Sequence, residues 1–286
     1  MLIYFYIKTL TMGSILGLFF HSLGGFASGS FYIPYRKIKV WSWESAWLVG
    51  GVFSWLIVPI LAAYLTIPDF MNIIQTVDSD VFFWTFTFGV LWGIGGLTFG
   101  LAMRYLGMSL GMSIALSLCS IFGALVPPIY REIAGVSGDT ISGIVGSTGG
   151  RWVLFGILVC VFGIYLCGKA GMMKENELSD AQKKESIKEF SLMKGLVVAT
   201  ISGLLSACFN FGIEAGKLMA NEAVVRGCDP LFQNNVIFVV VLWGGFTTNF
   251  IWCMYLNFSN KTFGDYLNKN SPLRMNYTFA AVAGTT

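Results

Sequence analysis

The stretch FYIPYRKIKVWSWESAWLVGG, residues 31–51, decides how the chain must be read. An apolar run ends on Tyr-Ile-Pro-Tyr, then come Arg36, Lys37 and Lys39, then Trp41 and Trp43, and a second apolar run opens. Tyr and Trp have an apolar body and a polar tip, so they settle at the edge of a bilayer, and Pro34 ends or kinks a helix there. Three cations between such aromatics mark a short cytoplasmic loop joining two membrane-crossing helices.

Composition agrees with that reading. Of 286 residues, 55% are hydrophobic and 12% charged, about half the charged share of a soluble domain, and the mean hydropathy is +0.70. The net charge of +3 does not suggest a nucleic-acid partner, because the cations sit between apolar runs and form no basic face. The six Cys have no Cys-x-x-Cys spacing and read as small packing residues.

Working outward, apolar runs fall at about 12–34, 45–67, 81–103, 108–130, 152–170, 194–217 and 234–256, each close to the ~20 residues that cross a bilayer. An eighth begins near Asn276 and is cut off at Thr286, so the sequence reads as C-terminally truncated. The fold class expected is an all-α integral membrane protein, a multi-span bundle with about seven complete spans. Odd-numbered connections hold 13 cations against 5 on the other side, which predicts an outward-facing N-terminus. The long connection 169–194 reads as a solvated cytoplasmic linker and the Gly- and Ser-rich stretch 130–151 as a flexible outer loop.

Residues 17–31, GLFFHSLGGFASGSF, can be laid over 195–209, GLVVATISGLLSACF, at a constant offset. An odd number of spans separates the copies, so the second would be inverted, as in secondary transporters that hold substrate between halves near the midplane. The expected domains are a first five-helix repeat (1–170), a linker (171–193) and a second repeat (194–286). On the first span His21, Gly25, Ser28 and Tyr32 share one helical side, and on the sixth Gly203, Ser206, Asn210, Glu214 and Lys217 form the matching stripe. Polar groups at membrane depth should face the bundle or a wet cavity. Glycines four apart (Gly13/Gly17, Gly25/Gly29, Gly96/Gly100, Gly107/Gly111, Gly212/Gly216) read as close-packing sites.

A small polar solute needs amides, carboxylates or hydroxyls and, for a sugar, an aromatic plane. Tyr32, Trp92, Asn210 and Asn249 supply such groups and are the candidate substrate-binding residues, although many solutes would suit them. For proton coupling the candidates are His21, which lies ~13 Å into its span at ~1.5 Å per residue, and Glu214 near the outward end of the sixth. Imidazole ordinarily titrates near neutrality, as a relay requires. If Lys217 pairs with Glu214, the carboxylate stays charged and becomes structural. A single His rules out a multi-His metal site, and no His-Glu-x-x-His, Gly-x-Ser-x-Gly or Walker signature is present, so no enzyme is expected.

FYIPYRKIKVWSWESAWLVGGVFSWLIVP, LWGIGGLTFGLAMRYLGMSLGMSIALSL and FNFGIEAGKLM resemble the bacterial L-rhamnose–proton symporters, a branch of the drug/metabolite transporter superfamily. The resemblance covers nearly the whole chain from Met12. It implies ten spans in a five-plus-five inverted repeat and import of L-rhamnose, or a related 6-deoxyhexose, with protons across the bacterial inner membrane. It implies a sugar substrate and the lipid bilayer as partners, no cofactor beyond the coupling proton, no nucleic acid and no obligate protein partner. An exporter or exchanger of another small polar solute within the superfamily is the alternative.

Overall fold

The computed structural model describes residues 15–27, 30–135, 138–177 and 191–286, all helix or connection; no strand occurs among them. Residues 15–27 are helical (α1). Then come α2 (Tyr32–Tyr35), α3 (Trp43–Val52), a π-helical turn (Phe53–Ile57), α4 (Val58–Thr66), α5 (Phe70–Thr76), α6 (Ser79–Leu106) and α7 (Met108–Ala134). They are followed by α8 (Ile141–Gly146), α9 (Thr148–Glu177), α10 (Leu192–Ala215), α11 (Lys217–Val225), α12 (Asn235–Asn260), a 3₁₀ turn (Phe263–Leu267) and α13 (Leu273–Thr285).

Six of the described helical stretches are long and apolar enough to cross a membrane: Trp43–Thr66, Ser79–Leu106, Leu110–Ala134, Thr148–Ala170, Met193–Val225 and Asn235–Asn260. They fall on the second to seventh apolar runs. The first run lies partly outside the described residues, as do positions 178–190 of the linker. The π turn precedes Pro59, which has no N–H to return to the carbonyl four residues back, so the helix widens to a longer repeat. Gly107 separates α6 from α7 at φ 79, a backbone conformation that a side chain resists, so it marks a turn and not a packing site.

The residues group into two compact units. The larger, Pro59–Asn249, is built around α10. Glycines set the approach of α10 to α6: a Cβ at Gly195 would strike Leu106, one at Gly95 would lie 2.6 Å from the Ser206 nitrogen, and one at Gly212 would press on Phe88. As the number rises along α10 it falls along α6, so the two run antiparallel. Against α7 the order is parallel, with Gly203 beside Ala115 and Leu118 and Asn210 beside Gly123. Gly89 and Gly93 of α6 meet Val241 and Gly245 of α12 in the same way, and Gly244 meets the Phe86 carbonyl. Ser202 donates to the Gly95 carbonyl at 2.9 Å and Thr248 to that of Val90 at 3.0 Å. Such seams hold helices where lipid gives no hydrophobic drive, because backbones that nearly touch gain dispersion contacts. At one end of the unit Ile73, Met219, Val236, Ile237, Val239, Val240 and Val241 close a dry core.

The glycines of this seam are mostly not the four-apart pairs expected from the sequence. Gly212 and Gly216 do pack, on Val241 and Ile237, and Gly111 packs on Ala102. Gly96 and Gly100 have no atom within 4 Å of an added Cβ and look away from the seam, as do Gly17 and Gly25. α9 turns Trp152, Phe155, Leu158 and Phe162 outward, and none of its most apolar window is buried. That suits a helix bathed in lipid.

The smaller unit comprises residues up to Val58 and from Phe250. Gly50 of α3 lets α13 come close: a Cβ at Gly284 would strike the Gly50 carbonyl, and one at Gly50 would overlap the Tyr35 hydroxyl. Asn276, fully buried, accepts from the Lys39 N–H at 3.1 Å and donates to the Lys39 carbonyl at 2.8 Å. The next residue, Val40, sits at φ 71, and the Asn276 amide holds the backbone just before it.

Candidate functional site

Within the larger unit, polar groups collect where α10 faces α7. Pro127 and Pro128 stand inside α7 and cannot donate to the carbonyls of Gly123 and Ala124, so those oxygens need partners from outside the helix ladder. Asn210 of α10 lies against this point, its Nδ2 being 2.7 Å from where a Gly123 Cβ would stand. A side chain at 123 would push that amide aside. One turn further along α10 and about two along α7, Arg131 of α7 reaches Glu214 of α10 at 2.5 Å, and Lys217 approaches the same oxygen at 3.9 Å. Arg131 also donates to the Asp139 carbonyl at 3.2 Å. Glu214 is therefore an ion-paired carboxylate flanked by two cations. Asn210 and Glu214 of α10, with Lys217 just beyond them, thus form one stripe facing the proline-containing part of α7 and its Arg131.

Trp92 and Asn249 sit together elsewhere in the unit. The Trp92 ring lies 5.1 Å from that of Phe209 and fills the notch above Gly245, whose added Cβ would strike the indole. Asn249, 4% exposed, donates to the Gly245 carbonyl at 2.9 Å. The Trp92 ring is thus packed against α12 and Phe209. A cleft of about 540 Å³ at the end of α4, lined by Tyr64–Met71 and Gly227, contains none of these residues and only one charged group, Asp69. It takes no part in the site.

In the smaller unit Tyr32 belongs to an aromatic cluster. Its ring centroid is 5.5 Å from Tyr35 and 6.4 Å from Trp47, its hydroxyl accepts from Trp43 Nε1 at 3.2 Å, and Trp43 stacks on Trp47 at 5.3 Å. Trp47 in turn meets Trp55, in the π turn, edge to face. His21 lies on α1, where every residue from Ile15 to Phe26 is exposed. On the matching stripe of α10, Gly203 is buried and Ser206 half-buried, while Asn210, Glu214 and Lys217 are exposed as well. Ser28 lies outside the described residues.

The model of the L-rhamnose-proton symport protein (RhaT) family matches residues 10–285. The chain belongs to that family. Among its relatives, the L-rhamnose-proton symporter of Cronobacter sakazakii is 37% identical over 238 residues, covering 83% of this chain and 66% of the relative. The symporter of Mannheimia succiniciproducens is 38% identical over 243 residues, covering 85% and 67%, and that of Pectobacterium atrosepticum is 37% identical over 239, covering 84% and 66%. The chain thus spans about two thirds of the length of these curated relatives. No solved structure matches it.

The RhaT family is one of transporters and not of enzymes. The polar stripe of α10 is legible in its sequence from the four-residue step between Asn210 and Glu214. Sequence reasoning missed what stands opposite. Pro127-Pro128 within an apolar run is a visible signal of carbonyls one turn back that lack their in-helix donors, and Arg131 follows Pro127 by one turn. The Gly- and Ser-rich composition of 130–151 reads as a loop, whereas α7 continues to Ala134 and Arg131 lies on it, largely covered.

Proposed function

We propose that the full-length protein imports L-rhamnose, or a closely related 6-deoxyhexose, together with protons across the bacterial inner membrane. The observation that carries this reading is the family match over residues 10–285 with relatives named L-rhamnose-proton symporters. The two prolines inside α7, which leave the Gly123 and Ala124 carbonyls without their in-helix donors beside a polar stripe on α10, support it, because transporters use such freed carbonyls where they line a substrate path.

In this account the N-terminus faces the periplasm, and residues 1–170 and 194–286 belong to inverted repeats joined by a cytoplasmic linker, 171–193. Asn210 contacts the sugar, its amide matching a donor–acceptor pair of hydroxyls. Trp92 and Asn249 shape the wall behind it from the α6–α12 seam, and Tyr32 offers an aromatic face with a polar tip. His21 carries the coupling proton at midplane depth. Glu214, which contacts Arg131 and Lys217, assists the proton at the outward entrance and ties α10 to α7.

Equilibrium binding of labelled L-rhamnose to the purified full-length protein tests the substrate assignment. Displacement by unlabelled L-rhamnose, with D-glucose and L-fucose much weaker, is expected. Equal displacement by all three sugars, or no saturable binding, contradicts it.

A further inference from the structure

The smaller unit is unevenly charged. Its sequence, Met1–Val58 and Phe250–Thr286, contains two acids, Glu44 and Asp265. Against them stand six exposed cations among the described residues: Arg36, Lys37, Lys39, Lys261, Lys269 and Arg274. In the larger unit Arg131, Lys217 and Arg226 each meet a carboxylate, whereas none of the six does so among the described residues. Both acids are committed to neutral donors. Glu44 is buried and accepts from Asn260 Nδ2 and from the Thr262 hydroxyl, each at 2.9 Å. Asp265, half-buried, accepts from the Ser42 N–H at 2.8 Å and from the Ser42 hydroxyl at 2.7 Å.

In the sequence these cations read as short clusters between apolar runs that form no basic face. The fold collects them. Arg36, Lys37 and Lys39 lie just before the span Trp43–Thr66, and Lys261, Lys269 and Arg274 lie just beyond the span Asn235–Asn260. The two span ends meet through the Asn260–Glu44 bond. Further contacts draw the flanking segments together. Asn276 clasps both backbone groups of Lys39, and Ser42 holds Asp265. Trp41 meets Tyr277 edge to face with ring centroids 4.8 Å apart, and Lys37 Nζ stands 5.3 Å from the centroid of the Phe279 ring. The loop before α3, the 3₁₀ turn and the start of α13 therefore share one corner of the unit.

Like charges gathered in this way repel one another unless anions neutralise them. The setting selects the anion. The corner lies beside the Trp41–Trp43 edge, where aromatic anchors mark the headgroup level. Val40, 66% exposed, and Leu267, 80% exposed, stand among the cations. Apolar residues between cations suit the boundary of a leaflet, where a phospholipid offers phosphate to the one and acyl chain to the other. A soluble polyanion would leave both apolar side chains in water.

We propose that Arg36, Lys37 and Lys39, together with Lys261, Lys269 and Arg274, form a binding site for the phosphate headgroups of anionic phospholipids in the cytoplasmic leaflet. The choice of leaflet rests on the topology proposed above, and headgroup binding itself does not. Bound phosphates relieve the repulsion across the Lys39–Asn276 clasp, so anionic lipid holds the loop before α3 against α13.

Native mass spectrometry of the purified full-length protein in detergent, with phosphatidylglycerol and phosphatidylcholine of equal chain length added together, reads the site without transport. Retention of phosphatidylglycerol over phosphatidylcholine is expected. The triple variant Lys39→Gln/Lys269→Gln/Arg274→Gln takes one cation from each segment and should lower phosphatidylglycerol affinity about a hundredfold, at about fivefold per cation. The control Lys169→Gln/Lys194→Gln, exposed cations of the larger unit, should keep it. Phosphatidylglycerol should also raise the thermal midpoint of the wild type and not of the triple variant. If the triple variant does not fold, the three single variants decide, each expected at about fivefold. Equal retention of both lipids, wild-type affinity in the triple variant, or an equal loss in the control overturns the proposal. Retention of a soluble polyphosphate in place of phosphatidylglycerol also overturns it and makes the partner a soluble polyanion. Full-length protein that moves no L-rhamnose yet retains phosphatidylglycerol refutes the symport reading alone and leaves the lipid site standing.

Discussion

The carboxylate of Glu214 on α10 meets the guanidinium of Arg131 on α7 at 2.5 Å, one turn along α10 from Asn210, which lies beside Gly123. Arg131 is largely covered and Glu214 about 42% exposed, so solvent screens the pair from one side. Its worth is therefore modest, about 0.5–1 kcal/mol. Glu214→Gln and Arg131→Gln should each lower thermal stability slightly, and the charge-exchanged double variant should recover part of the loss. A thermal unfolding series in one detergent checks this. Additive losses with no recovery would mean that the two side chains are not coupled.

The glycine seam gives a sharper contrast. A side chain at Gly89 or Gly244 collides with the backbone of the facing helix, whereas Gly96 and Gly100 have free space around them. Gly89→Leu and Gly244→Leu should yield no stable protein, since overpacking costs about 1–3 kcal/mol even where the neighbour can move, and backbone cannot. Gly96→Leu and Gly100→Leu should be recovered from membranes at wild-type level. Size-exclusion profiles of the four variants decide the matter.

Asn210 and Trp92 separate binding from packing. Trp92 fills a notch over Gly245 and touches Phe209, so Trp92→Ala should cost about 3 kcal/mol of stability. Asn210 is exposed on its stripe, so Asn210→Ala should fold normally and weaken sugar binding about tenfold, the worth of one lost hydrogen bond to a neutral partner. Binding isotherms and melting curves on the same samples test both. Unchanged affinity in Asn210→Ala removes it from the site.

The charge asymmetry of the connections predicts that single cysteines placed within 171–190 stay unlabelled by an impermeant maleimide in intact cells, while those within 131–150 react. A Cys-free background is required, because Cys160 and Cys167 are exposed. The reverse pattern would invert the topology.

How much of this was legible in the sequence differs between fold and site. Six membrane helices are written in run length, because a span must hide every backbone polar group inside one apolar helix. The Trp41–Trp43 edge and the Asn210–Glu214 stripe follow from local spacing. The seam glycines do not: Gly89 and Gly96 look alike in sequence, and only the position of α12 tells them apart. Glu44 was passed over for a similar reason. Its partners Asn260 and Thr262 lie more than two hundred positions away, and nothing near Glu44 in the chain announces them. Long-range pairing of that kind is fixed by packing and not by a local pattern.

Proton-driven uptake tests the central claim most directly. Full-length protein in vesicles is given labelled L-rhamnose with an inward proton gradient, with and without a protonophore. Accumulation above the outside concentration that collapses on adding the protonophore, while counterflow persists, is predicted. Accumulation indifferent to the protonophore, or no uptake of L-rhamnose in either condition, would contradict proton-coupled import of this sugar.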